Sequence, residues 1–260
     1  MLRFYVIFHK KLYEAAYEKV NKDYIDKYVR FCAVNRMIPK EIPASLAANV
    51  FHEHQLQNYN PFMQFNKFCE SSVFFHVYKN PSLLLDPFRF VGFFHYDMVL
   101  QNSTFAEIEY ALQVLEQPDK TLFVFKADHC FPHLHQIIYL QGWELIVNLY
   151  NGKHGTSHKM EEIIKHQIPL YHTFLIPRDI FRKMMEFAEL CAPILFDLMG
   201  QELKHYPYHL ERLHGLFLLL QTLDGHIIRW IQMSGVDHRS DLNDPWQKVE
   251  EEKYLAKRNA

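Results

Sequence analysis

Glycine is scarce in this 260-residue chain, eight in all, and the first is Gly92. The opening third therefore has no glycine-rich turn whose backbone N–H groups could cradle phosphate, which excludes both G-x-G-x-x-G and a P-loop there. Cysteine is also sparse. Cys32, Cys69, Cys130 and Cys191 stand far apart and form no C-x-x-C pair, which argues against a zinc–thiolate site or a disulfide framework and fits a reducing, cytoplasmic setting. No apolar run reaches the roughly 18 residues of a membrane span. Leu2–Phe8 is apolar but meets His9, Lys10 and Lys11 with no cleavage-site pattern, so it reads as a strand and not a signal peptide. Neither sign of charge dominates: the formal net charge is −2, so no global field attracts nucleic acid or an anionic membrane. G-x-S-x-G, H-E-x-x-H and a cysteine in a catalytic context are missing as well, which leaves acyl-enzyme hydrolysis and a helical zinc site without a motif.

What is present is an ordinary globular balance, 49% apolar and 22% charged, enriched in rings (22 Phe, 15 Tyr) and in histidine (17). Such a chain forms one large domain or two small ones. Leu2–Phe8 is short, aromatic and β-branched, a buried first strand. Leu12–Tyr28 has apolar residues at helical spacing, with a break near Asn21–Asp23, and Tyr28–Val34 returns to strand character. This β-α-β start implies an α/β fold with a mainly parallel sheet flanked by helices. Pro39–Pro61 reads as a long connection with a short helix near Ala44–Val50, and Phe62–Val77 as a helix. Phe88–Phe94 reads as a central strand ending at His95-Tyr96-Asp97, followed by a helix over Glu107–Leu115 and a strand over Thr121–Phe125. The remainder is helix-rich: Leu134–Leu149, Met160–His166, Arg178–Leu198 (two helices divided or kinked at Pro193) and Leu210–Leu223, with Tyr171–Ile176 its one strand. Residues 1–240 form one domain, divided at 126/127, and the charge-dense 241–260 a solvated tail or linker.

His95-Tyr96-Asp97 is the sharpest local feature, because ligands of α/β sheets sit outside the carboxyl ends of the strands. An Asp oxygen there can hold Mg²⁺ or Mn²⁺ against a diphosphate, and two ligand types two residues apart point the same way on a continuing strand. The plainer reading is a structural His95 and a turn-capping Asp97. Glu211, in His209-Leu210-Glu211-Arg212-Leu213-His214-Gly215, opens an apolar helix. It is either a general base raised by partial burial or a helix-dipole carboxylate with an internal ion pair. Glu70 alone is an ordinary helical glutamate. The histidines at His52, His54, His129–His135, His154 and His158 suggest zinc, yet 17 of them in one chain make chance proximity expected.

Several short blocks, in order, resemble glycosyltransferase-like domains of bacterial capsule and lipo-oligosaccharide clusters and of large algal DNA viruses. These are the first strand with His9-Lys10, Lys67-Phe68-Cys69-Glu70-Ser71-Ser72 with Tyr78-Lys79-Asn80, Phe90-Val91-Gly92-Phe93-Phe94-His95-Tyr96, Tyr171–Phe181, and Leu210-Glu211-Arg212-Leu213. They span about residues 2–220. The bacterial pattern continues His-Tyr-Arg-Arg, whereas Asp97 and Met98 follow Tyr96 here, which weakens transfer of the bacterial substrate and strengthens metal binding at Asp97.

The resemblance implies a type A glycosyltransferase fold, with 1–126 the nucleotide-sugar half and 127–240 the acceptor half. It implies a UDP- or GDP-linked sugar donor, a glycan acceptor, Mn²⁺ or Mg²⁺ as cofactor, and a place in polysaccharide biosynthesis. By the same resemblance His9, Lys10, Glu70, His95, Asp97 and Arg212 bind the nucleotide sugar and Glu211 is the catalytic base. Asp97 holds the metal with His95 as second ligand or supporting partner, and His238 completes the shell. The rival expectations are a metal-dependent hydrolase built on the histidines and a non-enzymatic module binding glycan or protein.

Overall fold

β1 (Leu2–Phe8) is buried at all seven positions, which a strand achieves only when both faces of its sheet are covered. The computed structural model describes residues 2–63, 68–127, 142–169, 172–199 and 206–234. Around β1 the chain lays down α1 (Lys22–Tyr28), β2 (Val29–Ala33), β3 (Val50–His52), α2 (Ser71–Lys79), α3 (Pro81–Leu84), β4 (Phe90–His95), α4 (Asn102–Val114) and β5 (Thr121–Ala127). The second half adds α5 (Trp143–His154), α6 (Met160–Ile163), β6 (Phe174–Pro177), α7 (Arg178–Met199), α8 (Tyr206–Leu223) and β7 (Ile227–Met233).

The strands form one sheet in the order β3-β2-β1-β4-β6-β5-β7. β6 pairs antiparallel with both β4 and β5, and every other pairing is parallel. All strands but β6 therefore end at the same edge. Alternation along each strand sorts side chains to two faces. Tyr5, Ile7, Val91 and Phe93 join the core beneath α2, α5, α7 and α8. Phe4, Val6, Phe90 and Phe94 join the core beneath α1 and α4. Gly92 is required at the sheet centre because the Phe4 ring lies over it: a Cβ would meet Phe4 Cδ1 at 2.4 Å.

Four expectations are corrected. β7 is a strand although only one was expected beyond Ala127, because its exposed Ile227 and Trp230 spoil the alternation that would mark it. Arg178–Met199 is a single helix with Pro193 inside it, held by the buried Phe187, Ala188, Cys191 and Leu195 on either side of the proline. The helix expected from Phe62 begins only at Ser71, since Cys69 takes a left-handed backbone (φ 45°). Before α1 the chain forms only a 3-10 turn at Glu14–Ala16.

Candidate active site

β1 and β4 lie side by side in parallel register, with Ile7 opposite His95. Both therefore deliver polar residues to the same carboxyl-terminal edge, the ordinary ligand position of an α/β sheet. The third contributor is the turn into α2, where the left-handed Cys69 precedes Glu70. His9 Nε2 lies 2.8 Å from Glu70 Oε1. His95 Nε2 lies 3.6 Å from the same oxygen, and its Nδ1 lies 3.0 Å from Asp97 Oδ1. His9, Glu70, His95 and Asp97 thus form one continuous run in which acids and imidazoles alternate. The side chains of Glu70 and Asp97 remain 20% and 28% exposed, so the run faces a surface a ligand can reach.

The run is electrostatically self-consistent. Burial works to raise the Glu70 carboxyl, but the hydrogen bond to His9 and the charges of His9 and His95 outweigh it and hold Glu70 well below the usual carboxylate range. Burial likewise opposes charge on His95, yet Asp97 and Glu70 push that ring up to about 10. At neutral pH, His95 is an imidazolium between two carboxylates. Beside it Tyr96 stacks on Tyr13 with ring centroids 5.8 Å apart, and Lys11 Nζ sits 4.9 Å over the Tyr13 ring. Lys10 is exposed at the end of β1, its carbonyl accepting from the Glu41 N–H at 2.8 Å.

Glu211 and Arg212 sit half-buried in the second turn of α8, in a different layer. Burial lowers the Arg212 guanidinium from its ordinary value, with Glu211 acting the other way, and Arg212 Nη1 is 3.3 Å from His209 Nδ1. The link to the sheet edge is His214, three residues beyond Glu211 and so on the same side of the helix. His214 Nδ1 lies 3.1 Å from His172 Nε2, which lies 3.4 Å from the hydroxyl of Ser71, the residue after Glu70. Phe74 stacks on the His214 ring at 5.0 Å.

Of the residues singled out from sequence, His9, Glu70, His95 and Asp97 come together with Lys10 beside them. Glu211 and Arg212 approach from α8, and His238 lies outside the described residues. Sequence reasoning missed Tyr13, Ser71, His172 and His214 as parts of this assembly. Only the abundance of histidine signalled the last two, since residues 42 positions apart share no local pattern. Among the described residues no group of three His, Cys, Asp or Glu side chains is arranged to hold a metal ion, and no helix is long and apolar enough to cross a membrane.

No family model matches the chain, and no curated protein is matched either. Solved structures are matched. The apo structure of the bifunctional glycosyltransferase WbbM aligns over 91% of this chain at 16% identity with a TM-score of 0.59. Glucosyl-3-phosphoglycerate synthase from Mycobacterium tuberculosis, in complex with Mn²⁺, UDP-glucose and phosphoglyceric acid, covers 95% of this chain and 74% of its own at 12% identity, with a TM-score of 0.42. The galactosyltransferase LgtC with donor and acceptor sugar analogs covers 90% of this chain and 87% of its own at 11% identity, with a TM-score of 0.34. The chain spans 45% of the length of WbbM. On the WbbM superposition and the mixed seven-stranded sheet, the chain has the type A glycosyltransferase fold.

Proposed function

We propose that the chain is a metal-dependent glycosyltransferase moving a sugar from a UDP- or GDP-linked donor to a hydroxyl of a glycan acceptor. In this reading it is a relative of the capsule, lipo-oligosaccharide and algal-virus domains its sequence resembles. The observation that carries the reading is the run His9–Glu70–His95–Asp97 at the carboxyl edge of β1 and β4. The acceptor oxygen bonds to the anomeric carbon while the bond from that carbon to the diphosphate oxygen breaks, its electron pair leaving with the diphosphate. In an inverting course the acceptor proton passes to Glu211.

Asp97 offers a partly exposed carboxylate. One carboxylate with donor phosphate oxygens and water is the set that Mg²⁺ or Mn²⁺ takes, so this residue fits the cofactor. His95, doubly protonated between two carboxylates, has no nitrogen lone pair to give, and we read it as the partner that orients Asp97. Ser234, whose carbonyl accepts from the Val99 N–H at 2.8 Å, tethers the chain close to Asp97. His238, which this reading assigns to complete the metal shell, lies outside the described residues. When bound, the ion neutralises charge developing on the departing diphosphate.

The remaining residues bind and orient. Glu70 Oε1 is engaged by both imidazoles, which leaves Oε2 to accept from a sugar hydroxyl. The His95 imidazolium adds positive charge where the diphosphate departs. Lys10 and Arg212 supply further cations to the phosphates, and the Tyr13–Tyr96 stack offers an aromatic face to a base. Calorimetric titration with a panel of UDP- and GDP-sugars, with and without Mn²⁺, tests the reading. At least one donor is expected to bind only with the metal, and Asp97→Ala to abolish that binding while the chain stays folded, with a lower melting temperature from the loss of the His95 partner. No binding of any common donor would overturn it.

A further inference from the structure

A cavity of about 350 Å³ lies beside the turn that carries Glu70, within the size range of small-molecule sites. Phe68, in that turn, lines it together with Phe62, Phe75, Phe196 and Tyr206. Phe68 meets Tyr206 at 81° and Phe196 meets Tyr206 at 89°, so the wall presents π faces in more than one direction. Glu189, Pro193 and Asp197 are also in the lining. Spaced four apart on α7, they share one side of that helix.

The polar side chains of this lining are one hydroxyl and two carboxylates. The Tyr206 hydroxyl already donates to the Ala192 carbonyl at 2.9 Å. Pro193 has no N–H, so the Glu189 carbonyl, four residues earlier, loses its ordinary helical donor. The Glu189 carboxylate is paired with Lys79 at 2.5 Å. Asp197 is exposed and makes no hydrogen bond or ion pair among the described residues. Aromatic faces attract a cation through the ring quadrupole, and the Asp197 carboxylate can accept from a ligand N–H. An anion would be repelled by Asp197, whereas an ammonium gains a charge-assisted hydrogen bond there that a neutral apolar ligand does not.

We propose that this cavity binds a small organic ammonium ion, with its apolar body against the phenyl rings and its nitrogen toward Asp197. The site is separate from the proposed donor site and does not depend on sugar transfer. Calorimetric titration of the full chain with benzylammonium and with benzyl alcohol, matched in size but uncharged, tests the proposal. Benzylammonium is expected to bind about ten-fold more tightly than the alcohol, with the preference shrinking in high salt as charge is screened. Asp197→Asn, at an exposed position, is expected to erase the preference without moving the melting temperature. Should that variant fail to fold, Phe62→Leu keeps apolar contact but removes a π face, and is expected to weaken the ammonium more than the alcohol. Equal affinity for the two probes, binding of neither, a preference that survives Asp197→Asn, or equal weakening of both probes by Phe62→Leu would overturn the proposal.

Discussion

Charge on the two groups of histidines has opposite signs of consequence. His95 keeps its proton because the carboxylates beside it stabilise the charge, whereas burial pushes His172 down to about 3, with Glu70 opposing and His95 assisting. Burial also holds His214 well below the usual imidazole range, and His172 adds to that effect. Both buried rings are neutral in the folded chain, while in the unfolded chain they titrate near about 6.5. Below that pH the unfolded state binds more protons, so stability falls as pH falls, from about 6.5 down to about 3 for His172. Each ring contributes up to roughly 1.4 kcal/mol per pH unit to that acid slope. Urea unfolding between neutral and mildly acidic pH measures it. His214→Gln is expected to flatten the slope by one ring's share, and an unchanged slope in that variant would mean that His214 is not kept neutral in the fold.

At the scale of elements, α8 is set against the loop that follows α6 by a missing side chain. A Cβ on Gly215 would lie 2.0 Å from the Pro169 carbonyl oxygen and 2.8 Å from Ile168 Cγ1. Gly215→Ala should therefore destabilise the chain by about 1–3 kcal/mol. Gly152→Ala in α5, where nothing stands within 4 Å, should stabilise it by about 0.4–1 kcal/mol. Chemical denaturation of the pair reads both signs in one experiment. The same elements show what was legible beforehand. β1, β2, β4 and β5 announce themselves as short apolar runs, and the end of β4 put His95 and Asp97 on view, whereas His9 entered through the family resemblance. Glu70 was visible only through a family resemblance, since its role depends on the left-handed Cys69, a conformation nothing in Phe68-Cys69-Glu70 advertises. β7 was hidden because an edge strand with exposed Ile227 and Trp230 lacks a two-residue rhythm. The continuity of α7 through Pro193 was hidden because packing on both flanks overrides a local breaker.

For the whole molecule, the decisive choice is the reversal of one strand. β6 ends opposite Phe90, the first residue of β4, so α7 starts at the rim remote from the proposed donor site, where the Arg178 N–H donates to the Arg89 carbonyl at 2.8 Å. A helix of 22 residues is about 33 Å long, enough to carry the chain back across the covered face to the aromatic cavity near Phe68. α7 thereby acts as a ruler with a fixed phase. One alanine inserted after Glu186 would turn everything downstream by about 100° while leaving Arg178 in place. It should break the Lys79–Glu189 ion pair and swing Asp197 off the cavity, read as a lower melting temperature together with lost benzylammonium binding. Substitution can vary the solvent-facing positions of that rod, but an insertion or deletion shifts the phase of every packed or paired residue beyond it.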